Sequence, residues 1–158
     1  MAKQEKTNVM RLLEQKKIPY QMHDYTESGA IAGEDVARVL GENPDEVFKT
    51  LVTIGKSKQN YVFIVPVNKE LNLKKAACAV GEKSIEMIKS KDLLGLTGYV
   101  HGGCSPIGMK KQFPTTVHIT AESMETIFFS GGKIGIQVEL KTEDFKKIMN
   151  VKFADIAE

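Results

Sequence analysis

The sequence contains no tryptophan and almost no arginine: of its 22 basic residues only Arg11 and Arg38 are arginines, which leaves 20 lysines. Lysine is a point charge suited to phosphate, whereas bidentate reading of bases or carboxylates favours arginine. A nucleic-acid partner would therefore be held by its backbone rather than read by its bases. The net charge of +2 is too small to make non-specific nucleic-acid binding a necessity. Cysteine is scarce too. Cys78 and Cys104 do not form a CxxC pair, which excludes a disulfide framework and a zinc knuckle and leaves two free thiols. The three histidines, His23, His101 and His118, show no HxxxH spacing, so no metal ligand set and no cofactor is expected. No apolar run approaches the roughly 20 residues of a membrane span, and the N-terminal stretch lacks the apolar core of a secretory signal. The expectation is a cytoplasmic protein with no membrane partner.

The chain of 158 residues has the length of one domain, residues 1–158, and folding would bury roughly 70% of its extended-chain surface. Hydrophobic content of 42% with 27% charged residues is ordinary for a globular core.

Thr7 is placed to cap a helix through about Lys17, with Val9, Met10, Leu13 and Leu12 as its apolar stripe and Ile18-Pro19 as its stop. Tyr20 to Tyr25 alternates and reads as a strand. A helix follows over Gly33 to Leu40, with Val36, Val39 and Leu40 inward and Gly41 as terminator. Val47 to Ile54 and Tyr61 to Val67 are β-branched and aromatic around a polar turn, which reads as a hairpin. Asn72 caps "LKKAACAV", closed by Gly81, and Ser90 caps a short helix ended by Gly95. Strands are expected at Gly98 to His101, Thr115 to Ile119, Thr126 to Phe129 and Gly135 to Leu140, with a hairpin turn at Gly131-Gly132. A last helix begins near Thr142, with acids first and lysines last, as the macrodipole favours. Strands and helices mix without strict βαβ alternation, so the fold class is α+β, a mixed curved sheet flanked by helices.

Three stretches carry candidate chemistry. Lys49-Thr50 places a lysine in an apolar strand, either on its solvent face or projecting into a cleft to meet phosphate, carboxylate or an oxyanion. "HGGCSPIGMKK" over 101–111 is either loop punctuation or a cradle in which Gly102 and Gly103, lacking Cβ atoms, let backbone N–H groups approach a ligand. Lys110 and Lys111 read as a solvated charge pair. "FFSGGKIG" over 128–135 lacks the spacing of a phosphate-binding P-loop. A Cys104–His101 nucleophile pair is disfavoured because residues three apart on a strand point to opposite faces.

Read together, "VFKTLV", "LNLKKAA", "GGCSPIGMKK", "FFSGGKIG" and "KFADIA" resemble, in order and nearly end to end, the YbaK/EbsC family of Cys-tRNA(Pro) deacylases, relatives of the editing domain of bacterial prolyl-tRNA synthetases. The resemblance implies a single barrel-like curved sheet with outer helices. It assigns Lys49, Gly102 and Gly103 to catalysis and Tyr25, Thr50, Ser130 and Gln137 to the substrate. It implies cleavage of cysteine from Cys-tRNA(Pro), with Cys-tRNA(Cys) as a further substrate, by attack of the substrate's own thiol, and prolyl-tRNA synthetase as partner; DNA has no part. Gln137 departs from the family's aspartate, and Cys104 from a familiar isoleucine. Two other readings stay open: a deacylase of Ala- or Ser-tRNA assisted by the RNA 2′-hydroxyl, and an RNA-end binding module without chemistry.

Overall fold

The computed structural model describes residues 6–158. Five helices, α1 (Asn8–Gln15), α2 (Gly33–Leu40), α3 (Leu73–Val80), α4 (Ser90–Thr97) and α5 (Thr142–Ile148), alternate irregularly with eight strands. A three-stranded antiparallel sheet has the order β1 (Gln21–Asp24), β7 (Ile136–Lys141), β6 (Thr126–Lys133). A five-stranded mixed sheet has the order β4 (Ile85–Met87), β2 (Phe48–Gly55), β3 (Asn60–Pro66), β5 (Thr115–His118), β8 (Val151–Ala154). The α+β class holds, but the single barrel-like sheet is divided. Its halves meet at one parallel bridge, Val47 to Phe128, and do not close.

β3 explains why two layers of helix are needed. Side chains alternate across a strand, and here both faces are apolar. Val62 and Ile64 enter the main core with α1, the three-stranded sheet and Phe145. Phe63 and Val65 enter a second core with Ala76 and Ala77 of α3 and with Ile156.

Thr7 caps α1 by accepting the Met10 N–H at 3.2 Å, and Asn72 caps α3 by accepting that of Lys75 at 3.0 Å. α2 ends at Gly41 with a left-handed residue, the Glu42 N–H returning to the Ala37 carbonyl at 2.9 Å.

Several expectations are corrected. Val39 is 46% exposed, since the face of α2 that packs is carried by Val36 and Ala37. Ser90 is the first helical residue of α4, whose N-cap is Lys89. The helix runs through Gly95 and stops at the left-handed Gly98. Gly98 to His101 is not a strand. Its alternation has another cause: Tyr99 is drawn into the core and donates its hydroxyl to the Ile107 carbonyl at 2.5 Å, while Val100 stays exposed. Gly131-Gly132 is not the hairpin turn. β6 continues to Lys133, the two glycines form an irregularity in the ladder between Ser130 and Lys133, and the turn falls at Ile134-Gly135. β4 and β8 had no sequence signal strong enough to be read.

Phe129 and Phe145 lock the three-stranded sheet to α5 with ring centroids 5.4 Å apart, both 1% exposed. Phe145→Ala is expected to destabilise the protein by about 3–5 kcal/mol, read as a lower urea midpoint at unchanged slope.

Candidate active site

β4 pairs with β2 only at Thr53 to Gly55, and among the described residues β6 bridges that edge in the ladder only at Val47. Between them, from Phe48 to Leu51, the edge of β2 has no strand partner among the described residues. Along it lies a cleft of about 750 Å³, walled by β6, β7, the start of α2 and the His101–Cys104 turn. Of the seven residues singled out from sequence, Tyr25, Lys49, Thr50, Gly102, Ser130 and Gln137 all line it, and Gly103 does not. The edge position explains how Lys49 and Thr50, successive residues on opposite faces of β2, reach one cavity.

Two of these side chains hold buried polar atoms without a partner among the described residues, Thr50 Oγ1 and Gln137 Oε1. Two further such atoms, on Thr120 and Thr142, belong to residues outside the cleft. An unpaired buried polar group costs about 1–3 kcal/mol, so each calls for a ligand or a reason. Gln137 is 2% exposed and faces Ser130 on β6 and His23 on β1 across the sheet. Its Nε2 donates to Glu42 Oε1 at 2.8 Å. Ser130 Oγ accepts the Gly132 N–H at 3.2 Å, leaving its own hydrogen available. Tyr25 is 6% exposed, and burial pushes its phenol up, opposed by a backbone contact with Gly135.

Among the described residues Lys49 reaches only Glu70, at 3.5 Å, on the solvent side of the cleft. The lining also carries Glu34 and Asp35. One lysine among three carboxylates suits a ligand with a cationic group more than a polyphosphate. The first turn of α2 has no side-chain cap, and the positive end of its leading N–H groups is offset by Glu34 and Asp35 in that same turn.

The two glycines of the turn differ. Gly102 has φ of 90°, and its N–H takes no partner among the described residues. Gly103 donates its N–H to the Val100 carbonyl at 3.0 Å, and a Cβ there would lie 2.9 Å from the Ile134 backbone nitrogen. Gly103 thus lets the turn lie against the β6–β7 hairpin, and Gly102 is the member that meets the cleft.

Among the described residues no activated protein nucleophile lines the cavity. The Cys104 thiol is pushed up to about 12, chiefly by burial and against a hydrogen bond with Thr97, so it stays protonated at neutral pH. His101 is exposed. His118 lies elsewhere in the fold, buried, accepting the Ile156 N–H at 3.2 Å, with burial lowering its pKa. No cluster of three or more metal-binding side chains occurs among the described residues, and none of their helices is long and apolar enough to cross a membrane. Lys110 and Lys111 are exposed and lie outside the cleft lining. Sequence reasoning missed Glu42 and Glu70, both on polar connections where one more acid carries no signal.

Two outcomes follow from this geometry. Iodoacetamide at pH 8 should alkylate the exposed Cys78 and spare the half-buried Cys104, as read by peptide mass spectrometry; comparable labelling would contradict a protonated, poorly nucleophilic thiol at 104. Gly103→Ala should destabilise by about 1–3 kcal/mol, since backbone opposes the added methyl, and a thermal melt indistinguishable from wild type would contradict that packing.

Residues 27–148 match the model of the aminoacyl-tRNA editing domain family. The chain is 47% identical over 154 residues to a candidate Cys-tRNA(Pro)/Cys-tRNA(Cys) deacylase, EbsC, of Enterococcus faecalis, covering 97% of this chain and 94% of that protein. It is 29% identical over 102 residues to a proline–tRNA ligase of Shouchella clausii, a match spanning 65% of this chain and 18% of the ligase. A crystal structure of a candidate trans-editing enzyme for prolyl-tRNA synthetase superposes with a TM-score of 0.81 at 19% identity, covering 98% of this chain and 99% of that one. Another, of a hypothetical protein, superposes at 0.87 with the same identity, covering 96% of this chain and all of that one. The open-edged cleft and its glycine turn are thus carried by a chain that belongs to the aminoacyl-tRNA editing domain family.

Proposed function

We propose that the cleft receives the aminoacyl 3′ end of a mischarged tRNA and cleaves its ester, with Cys-tRNA(Pro) as the substrate and Cys-tRNA(Cys) as a second. One observation carries this reading: the cavity gathers unpaired polar groups around an anchoring lysine yet contains no activated protein nucleophile. A reaction there draws its nucleophile from water or from the substrate, and a cysteinyl ester carries a thiol, a far stronger nucleophile than water or a ribose hydroxyl.

The substrate thiolate attacks its own ester carbonyl. A carbon–sulfur bond forms, the carbon–oxygen bond to the ribose breaks, and the thiol proton ends on the ribose oxygen. The products are uncharged tRNA and a four-membered cyclic thioester. As the carbonyl becomes tetrahedral its oxygen gains negative charge and accepts a hydrogen bond from the Gly102 N–H. Lys49 anchors the terminal nucleotide or its phosphate. Tyr25, Thr50 and Ser130 orient the aminoacyl group, and Gln137 Oε1 accepts a hydrogen bond from the α-ammonium. Serine is nearly isosteric with cysteine but presents a far weaker nucleophile, and alanine presents none, so the chemistry supplies a selectivity that a small pocket cannot.

With two arginines and a cleft sized for the aminoacyl end, the chain has little means to tell one tRNA body from another. Selectivity for tRNA(Pro) is then lent by a complex with prolyl-tRNA synthetase. Purified protein should deacylate Cys-tRNA(Pro) and Cys-tRNA(Cys) at similar rates, the synthetase enhancing only the first; a strong intrinsic preference for tRNA(Pro) would refute the division of labour.

The decisive assay is release of amino acid from Cys-tRNA(Pro), Ser-tRNA(Pro) and Ala-tRNA(Pro). Only the cysteinyl ester should disappear rapidly. Its rate should rise with pH as the thiolate fraction grows, and level off near the substrate thiol's pKa, about 8.5 for an ordinary cysteine and lower beside an ammonium. Lys49→Ala should lower kcat/KM by at least about tenfold, the scale of one lost hydrogen bond to a charged group. Survival of all three esters would leave a binding cleft without chemistry.

A further inference from the structure

The two ends of the Gln137 side chain do different things. Its Nε2 is spent on Glu42, 2.8 Å away, while its Oε1 is buried, faces no partner and belongs to a residue lining the cavity. Resting on the deacylase reading, we infer that Glu42 is a positioning residue for substrate recognition: it fixes the Gln137 amide with its carbonyl toward the cleft and lends its negative charge, through that amide, to the substrate's α-ammonium.

The chemistry of the pair decides the orientation. An ionised carboxylate accepts hydrogen bonds and cannot donate, so the amide must turn its NH₂ to Glu42. A free glutamine amide can flip and offer its NH₂ to the cleft, where it would repel an ammonium. With Glu42 behind it, only Oε1 is presented. The charge-assisted bond also polarises the amide, making that oxygen a better acceptor. A neutral side chain at 137 therefore does not leave the site without a negative charge for the amine; the charge stands one residue further back.

Glu42 is built into its place. Its backbone N–H closes α2 on the Ala37 carbonyl just past the left-handed Gly41, so the acid projects from a fixed helix end. Gln137 is held from both sides in the sheet by its register with Ser130 and His23. Beside the pair, His23 Nε2 meets Glu139 Oε1 at 2.8 Å, so these two neighbouring side chains are partnered with each other. Burial pushes the Glu42 carboxyl up, with the Gln137 hydrogen bond and His23 opposing it and Glu139 and Glu46 adding to it.

The test uses two stable analogues of the cysteinyl-adenosine end in which an amide replaces the ester, one with a free α-amine and one N-acetylated. Binding of each is measured by calorimetry to the wild type and to the Glu42→Gln, Gln137→Ala and double variants. A glutamine at 42 keeps the shape but can donate as well as accept, so it no longer dictates the orientation at 137.

The wild type should prefer the free amine by about tenfold to a hundredfold, the scale of a hydrogen bond to a charged group. Glu42→Gln should lose most of that preference by weakening only the free-amine analogue, with affinity for the N-acetyl analogue unchanged. In the Gln137→Ala background Glu42→Gln should then have no further effect. A preference that survives Glu42→Gln, or equal weakening of both analogues, overturns the inference. The cysteinyl-ester assay separates this from the reading it rests on: amine preference lost in Glu42→Gln with no ester cleavage by wild type would retain the positioning role and remove the deacylase.

Discussion

An exposed strand edge is a template for pairing with other chains, and folds usually cover it or blunt it. Here the edge of β2 from Phe48 to Leu51 is left open on one side and enclosed on the other. β4 stops short at Thr53, and β6 makes a single bridge at Val47 before its glycine irregularity turns it away. Everything in the site hangs on that gap. Had the two sheets closed into a barrel, β6 would have paired along β2, and Lys49 and Thr50 would have lined no cavity.

The packing that holds the gap open is strong and remote. α1, Tyr99 and Ile107 brace the hairpin from within the main core. α2, whose start lies in the cleft, is anchored through Ala37 beside Val47, Val67 and Phe128. Against this rigid frame the site keeps two buried polar atoms unpaired, at Thr50 and Gln137, which a fold selected for stability alone would have satisfied. Their cost is offset when a ligand supplies the missing partners. That is the preorganisation expected of a site that stabilises a charge distribution rather than reshaping itself around it.

Much of this was legible in the sequence because the signals were local. Thr7, Asn72 and the glycines at 41 and 81 marked helix ends where they occur, and the β-branched runs gave the β2–β3 hairpin. Six of the seven residues expected at the site do line one cleft. What failed depended on distant partners. Gly98 to His101 alternates like a strand, yet Tyr99 is buried because Ile107 and the core wait for it, and no strand among the described residues pairs with it. Gly131-Gly132 looks like a turn in isolation and becomes an irregular stretch of strand because β7 fixes the register beyond it. Gly103 seemed equivalent to Gly102 until the β6–β7 hairpin beneath it showed that its N–H and its missing Cβ serve packing. Glu42 had no signal at all, since its meaning arises only from a side chain 95 residues further along.

The suppressed ionisation of Cys104 has a consequence for durability. On the proposed chemistry the cavity turns over thiols and releases an activated thioester, and a thiolate in its wall would exchange with both, capturing the product or forming a mixed disulfide with free cysteine. Burial holds Cys104 protonated and poorly nucleophilic. A thiol can then sit beside thiol chemistry without being consumed by it, and the cavity keeps its shape through many turnovers and through oxidising episodes that modify exposed cysteines first.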